Sequence, residues 1–163
     1  MDAAEIYVPT FSPAEAATMT GVSTSLQRKW RSAGGPLEPK ETAGWTRWTP
    51  QELARLLVLS RLAKLIGPAK AAEVITSPDN VGMAELVHAY AVLLSVKGDT
   101  DKLSGGFGRF MVSEGGKPFK LFKDAASGIG RAAEPYLILD ALALGQHLAN
   151  QTGPLAYAGP DLS

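Results

Sequence analysis

Two tetrapeptides fix where helices must begin in this chain of 163 residues: Ser12-Pro13-Ala14-Glu15 and Thr49-Pro50-Gln51-Glu52. In each, a hydroxyl residue stands three before a glutamate, and proline takes the first helical position. The hydroxyl accepts from the backbone N–H three residues on, while the glutamate reaches back to the N–H of the capping residue. Proline loses nothing there, because its missing N–H would have had no partner. The first box opens a short helix of small residues (Ala14, Ala16, Ala17) with room for only about two turns before Gly21. The second opens a long apolar helix over residues 51–66, stopped by Gly67-Pro68. Leu53, Leu56 and Leu57 lie on one side of it; Val58, Leu62 and Leu65 lie nearly opposite. That pattern predicts burial on two sides, between an N-terminal module and a further layer.

Between the boxes, residues 20–35 read TGVSTSLQRKWRSAGG. Val22, Leu26 and Trp30 recur at helical spacing and share one side. Ser23 is a good cap for a second helix over residues 24–32. Gln27, Arg28, Lys29 and Arg31 fall on the remaining surface, which predicts an inward Leu26–Trp30 anchor and an outward basic side. Two short helices meeting at a glycine-containing turn form the helix-turn-helix pattern. Residues 37–40 and 45–48 then pair as a hairpin around a polar tip at 41–44, the position of a wing. Trp30 and Trp48 are expected in the core; Trp45, three before Trp48, faces the other side of a strict strand.

The charge distribution adds to this. Residues 21–70 hold nine Lys/Arg and three Asp/Glu, a net +6, in a chain whose total is zero, so the rest carries −6. A basic module joined to an acidic one is expected. With no cysteine, thiol chemistry, disulfides and Cys-based metal sites are excluded. The two histidines, His88 and His147, are far apart, with His88 expected at the surface. Paired carboxylates, a nucleophile motif and a metal cluster are all missing, so no enzyme, cofactor or metal is expected. No apolar run approaches the roughly 18 residues of a membrane helix. The start, MDAAEIYV, does not read as a secretory signal, which implies a cytoplasmic protein.

Ser77-Pro78-Asp79-Asn80 marks a break after a short helix over residues 69–75. Beyond it, Met83, Leu86, Val87, Tyr90 and Leu94 describe an amphipathic helix ending at Gly98. GDTDKLSGG follows as a loop. FGRFMVS and PFKLFKD flank Glu114-Gly115-Gly116-Lys117 as a β-hairpin. A last helix is expected from Pro135 to about Asn150, carrying Leu137, Ile138, Leu142, Leu144 and Leu148. The tail after it is expected to be loose.

SPAEAATMTGVSTSLQRKWRSAGG followed by GWTRWTPQELARLL resembles the winged helix-turn-helix of MerR-type regulators and the related excisionase-like proteins. The matching features are the turn from Ala17 to Ser23, the aromatic Trp30, Gly35 before the wing, the Arg47-Trp48 pair and the helix start at Thr49. The resemblance covers about residues 10–75. It implies binding of double-stranded DNA, with the second helix in the major groove and the wing on backbone or minor groove. Carried over by position, Ser23, Thr24, Ser25, Gln27 and Arg28 lie on the recognition helix and Arg47 on the wing. Lys29 and Arg31 join them as candidate phosphate contacts. Arg28 suits guanine O6 and N7, and Gln27 suits adenine N6 and N7. The family's metal sensing does not carry over, because the cysteines it needs are missing.

The fold class expected is mainly α with small β-hairpins. Residues 1–76 form a winged helix-turn-helix, and residues 77–163 an α+β domain for dimerisation or effector sensing. The function expected is that of a sequence-specific transcriptional regulator of bacterial or phage type. It would bind DNA as a homodimer and take a small-molecule or protein effector at its C-terminal half. The alternatives are a phage-type DNA-architecture protein (an excisionase or terminase small subunit) and a protein–protein adaptor that uses the helix pair as scaffold.

Overall fold

The computed structural model describes residues 10–32, 34–37, 47–80, 82–114, 118–124 and 136–152. Among these the protein is mainly α: seven helices with one three-stranded antiparallel sheet. Of the expected wing over residues 37–48, residues 38–46, Trp45 among them, lie outside the described residues, as does the tail.

Both capping boxes form. Helix α1 (Pro13–Thr20) begins with Ser12 Oγ accepting from Glu15 N at 3.2 Å, while Glu15 Oε2 accepts from Ser12 N at 2.6 Å. These contacts from Ser12 hold the Glu15 carboxyl below its ordinary pKa. At the far end Gly21 takes φ 78°, a left-handed conformation that glycine adopts without steric cost, and α1 stops. The chain turns at once into α2 (Thr24–Arg31), capped by Ser23 Oγ on Leu26 N at 3.3 Å. Helix α3 (Pro50–Ile66) repeats the first pattern with Thr49 and Glu52.

The expected double-sided burial of α3 is present. Leu53, Leu56, Leu57, Val58, Leu59 and Leu62 are all fully buried, and α3 packs against α1 as well as the later helices. The second stripe stops at Leu62: Leu65, in the last turn, is 56% exposed. Helix α4 (Pro68–Thr76) leads to a single 3-10 turn at Pro78–Asn80 and then α5 (Met83–Ser95). That turn lies at the sequence break expected after residue 76. One cluster of buried side chains nevertheless runs from Ala16 to Leu148, because α3 and α5 pack together across it.

Two expectations are corrected beyond α5. The stretch expected as a loop contains α6 (Thr100–Phe107), because Asp99 caps it by accepting from Lys102 N at 3.0 Å. Tyr90 Oη then joins Ser104 Oγ at 2.8 Å and donates to Gly108 O at 2.7 Å, tying α6 to α5. The last helix starts later than Pro135. Residues 136–140 are a strand, and the helix, α7 (Ala141–Thr152), begins only after Asp140. A short run such as Leu137-Ile138-Leu139 fits a buried strand as well as a helix, so its pairing decides.

That pairing is with β1 (Phe110–Glu114), which lies between β2 (Lys120–Phe122) and β3 (Tyr136–Asp140). Met111 faces Leu121 on one neighbour and Leu139 on the other. The expected hairpin of β1 and β2 is therefore present, with its tip at 115–117 outside the described residues. Helix α7 crosses α5 so closely that a Cβ on Gly145 would lie 2.6 Å from Tyr90 Cβ and 2.9 Å from Ala91 N.

Candidate nucleic-acid interface

The short helix α2 divides into an inward and an outward side, though not where the sequence divides it. Trp30 is buried and Leu26 packs against the core, as the spacing predicts. Gln27 is buried too, at 3% exposure. Its Nε2 donates to Pro13 O and Val22 O, both at 2.9 Å. Its Oε1 accepts from Trp48 Nε1 at 2.9 Å. All three contacts hold the amide inside, so its expected place on the outer surface is corrected. Gln27 instead ties the start of α1, the turn and the approach to α3 into one unit.

Arg31 is the second correction. Its side chain is 9% exposed, with NH2 3.2 Å from Glu52 Oε2 and Cζ 3.4 Å from the centre of the Trp48 ring. Burial lowers its pKa, and Glu52 offsets only part of that. Glu52 thus belongs both to the α3 cap and to the contact between α2 and α3.

What α2 does offer outward is compact. Ser23, Ser25, Arg28 and Lys29 are exposed, and Thr24 is half-buried beside them. Ser23 Oγ and Ser25 Oγ lie 3.2 Å apart at the helix start. Arg47 is exposed as well, yet it is oriented: Nε donates to Thr10 Oγ1 at 2.7 Å and NH2 to Thr10 O at 2.9 Å. Next to it, Trp48 forms an antiparallel bridge with Phe11 and is 1% exposed, a core anchor as expected.

No family model, curated protein or solved structure matches this chain.

Several residues that matter here escape a sequence reading. The turn before α2 is held by residues distant in sequence: His147 Nε2 lies 2.6 Å from Met19 O, and Ser60 Oγ donates to Thr20 O at 3.2 Å. Nothing local announces either contact. His88 is half-buried rather than at the surface, and burial lowers its pKa against the opposing charge of Glu85. A cavity of about 430 Å³ opens where the hairpin meets the helices, lined by Met83, Leu86, Leu103, Phe107, Phe119 and Leu121. Among the described residues, no three His, Asp or Glu gather as a metal site, and no helix is long and apolar enough to cross a membrane.

Proposed function

We propose that this protein is a sequence-specific DNA-binding regulator with a winged helix-turn-helix made of α1, α2 and the segment leading into α3. The observation that carries this reading is the two-sided character of α2. Gln27 and Trp30 fix its inner side, while Ser23, Ser25, Arg28 and Lys29 stand together outside. In this reading Arg28 reaches a base edge in the major groove, and Lys29 and the Ser23–Ser25 helix start meet phosphates. Arg47, steadied by Thr10, contacts the backbone beside them. Gln27 is withdrawn from base readout and Arg31 from the outer face.

One module of this size binds weakly, so two copies read a repeated half-site. The C-terminal half supplies dimerisation or effector sensing, and the 430 Å³ cavity is of a size that suits a small-molecule effector. The test is fluorescence anisotropy across a salt series, using a random duplex and duplexes enriched by selection. Binding to both that weakens steeply with salt, plus an enriched inverted repeat, is the expected result. Arg28→Ala should cost about 1–3 kcal/mol on the enriched site and relax its sequence preference. Lys29→Ala should weaken all sequences alike and reduce the salt slope by about one. No binding at low salt would remove the reading. Strong bending within large multimers would move it toward a DNA-architecture protein.

A further inference from the structure

Among the described residues, one guanidinium is buried with an N–H nitrogen left over. Arg31 NH2 is committed to Glu52, but NH1 is shielded from solvent and has no hydrogen-bond acceptor. A buried donor without a partner costs about 1–3 kcal/mol, and more when it is charged. The neighbouring buried amide, Gln27, has both of its ends satisfied, so the gap at Arg31 is not general looseness of this layer. A buried cationic N–H of this kind is free to serve an acceptor that a ligand brings.

Beside it is a cavity of about 250 Å³ lined by Arg31, Leu37, Trp48, Glu52 and Arg55. Arg55 sits on α3 three residues after Glu52, half-buried, and makes no ion pair among the described residues. Two guanidinium groups against one carboxylate leave this lining with a net positive charge. We propose that the cleft between the end of α2, Leu37 and the start of α3 binds a phosphate-type oxyanion, held between Arg31 and Arg55. Guanidinium forks match such oxygens in pairs, which an ammonium cannot do. The Trp48 ring and Leu37 give the cleft apolar walls, and a lower local dielectric strengthens each charged contact. A small turn of the Arg31 fork over the Trp48 ring brings NH1 to the anion. Burial, only partly offset by Glu52, lowers the Arg31 pKa.

The oxyanion has two possible sources, a phosphodiester of duplex DNA or a free phosphorylated small molecule. The cleft does not include Arg28 or Lys29, so it stands apart from the proposed reading surface. The experiment follows the arginine side-chain N–H signals of the full chain in a proton–nitrogen correlation spectrum. Inorganic phosphate is titrated against chloride at constant ionic strength, and a random duplex is the second probe. Saturable shifts of the Arg31 and Arg55 signals are expected, weakened about tenfold by Arg55→Gln. Glu52→Gln should tighten the site severalfold, since it removes the competing charge while an amide still closes the Thr49 cap.

Competition between phosphate and duplex for the same two signals assigns the site to the DNA backbone, as does a response to the duplex alone. Phosphate binding that persists beside bound duplex assigns it to a free anion. If neither probe moves the Arg31 and Arg55 signals, or if the shifts survive Arg55→Gln unchanged, the proposal is overturned. Anisotropy with the duplex is read separately, so loss of DNA binding with an intact phosphate response sinks the DNA reading alone.

Discussion

The two ends of this chain are held by different chemistry. Around α1 and α2 the framework is polar. Gln27 joins three segments through its amide, Thr20 Oγ1 donates to Ala16 O at 2.7 Å, and serine or threonine caps start the helices. Around α5 and α7 it is apolar and steric, with Tyr90 and Gly145 at a close crossing and Met111 paired to Leu139. Polar frameworks specify geometry, because each donor accepts few partners. Apolar ones supply most of the stability through buried area. The difference places precision beneath the basic surface and bulk stabilisation away from it.

Helix α3 is where the two regimes meet, and it offers the strongest way to break the comparison. Leu57→Ala should cost about 2–5 kcal/mol. Because one core spans both ends, the variant should still unfold in a single transition, seen alike by tryptophan fluorescence and far-ultraviolet dichroism. Two separated transitions would mean that the ends are independent domains. Gln27→Leu comes next. It strands Trp48 Nε1 and the carbonyls of Pro13 and Val22, at about 1–3 kcal/mol for each group left unmet. Chemical denaturation should show that loss, while Arg28→Ala at the next, exposed position should stay within about 0.5 kcal/mol. If Gln27→Leu is neutral, the polar framework is not what holds α2.

How far the sequence reveals this division depends on range. The caps at Ser12, Ser23 and Thr49 are local events, and each helix starts where its cap predicts. Trp30 and Trp48 were legible as anchors because large aromatics are costly to expose. Gln27 is not legible in this way, because its position around the helix borders the apolar stripe, and nothing local distinguishes an outward amide from one with three partners inside. Arg31 is equally hidden: its partners, Trp48 and Glu52, come from beyond the next turn of chain. The strand at 136–140 was hidden in an apolar run whose period does not separate strand from helix. Asp140, which accepts from Ala143 N at 3.1 Å, is the local signal that a helix begins after it.

Asp140 also gives the apolar end a titratable handle. Its carboxylate takes Arg109 Nε at 2.9 Å and NH2 at 2.6 Å. Burial alone would raise its pKa, but the guanidinium and the Ala143 amide outweigh that and hold it below the ordinary value. A lowered folded pKa means that the unfolded chain takes up the proton first as pH falls. The contribution of Asp140 is therefore complete above its unfolded pKa of about 4 and is lost as pH drops through the folded value. Asp140→Asn should cost about 1 kcal/mol near neutrality, since both partners keep some solvent. It should also flatten the acid limb of a stability–pH curve below about pH 4. An unchanged acid limb would show that the pair does not hold β1 and β3 to α7.

The smallest effect compares the two capping boxes directly. Ser12→Ala and Thr49→Ala remove the same hydrogen bond in the same motif, each expected at about 1 kcal/mol from the cap itself. Their surroundings differ. The Ser12 box is exposed, and among the described residues the hydrogen bonds of its glutamate all serve the cap. The Thr49 box is part-buried, and its glutamate also holds Arg31 against Trp48. Loss of the Thr49 hydroxyl frees Glu52 to shift, so the cost should spread into the α2–α3 contact. Thr49→Ala should then exceed Ser12→Ala by a few tenths of a kcal/mol in denaturant midpoints. The excess should vanish in an Arg31→Met background, as a double-mutant cycle would report. Equal costs in both backgrounds would mean that Glu52 acts only as a cap, and that Arg31 depends on the Trp48 ring alone.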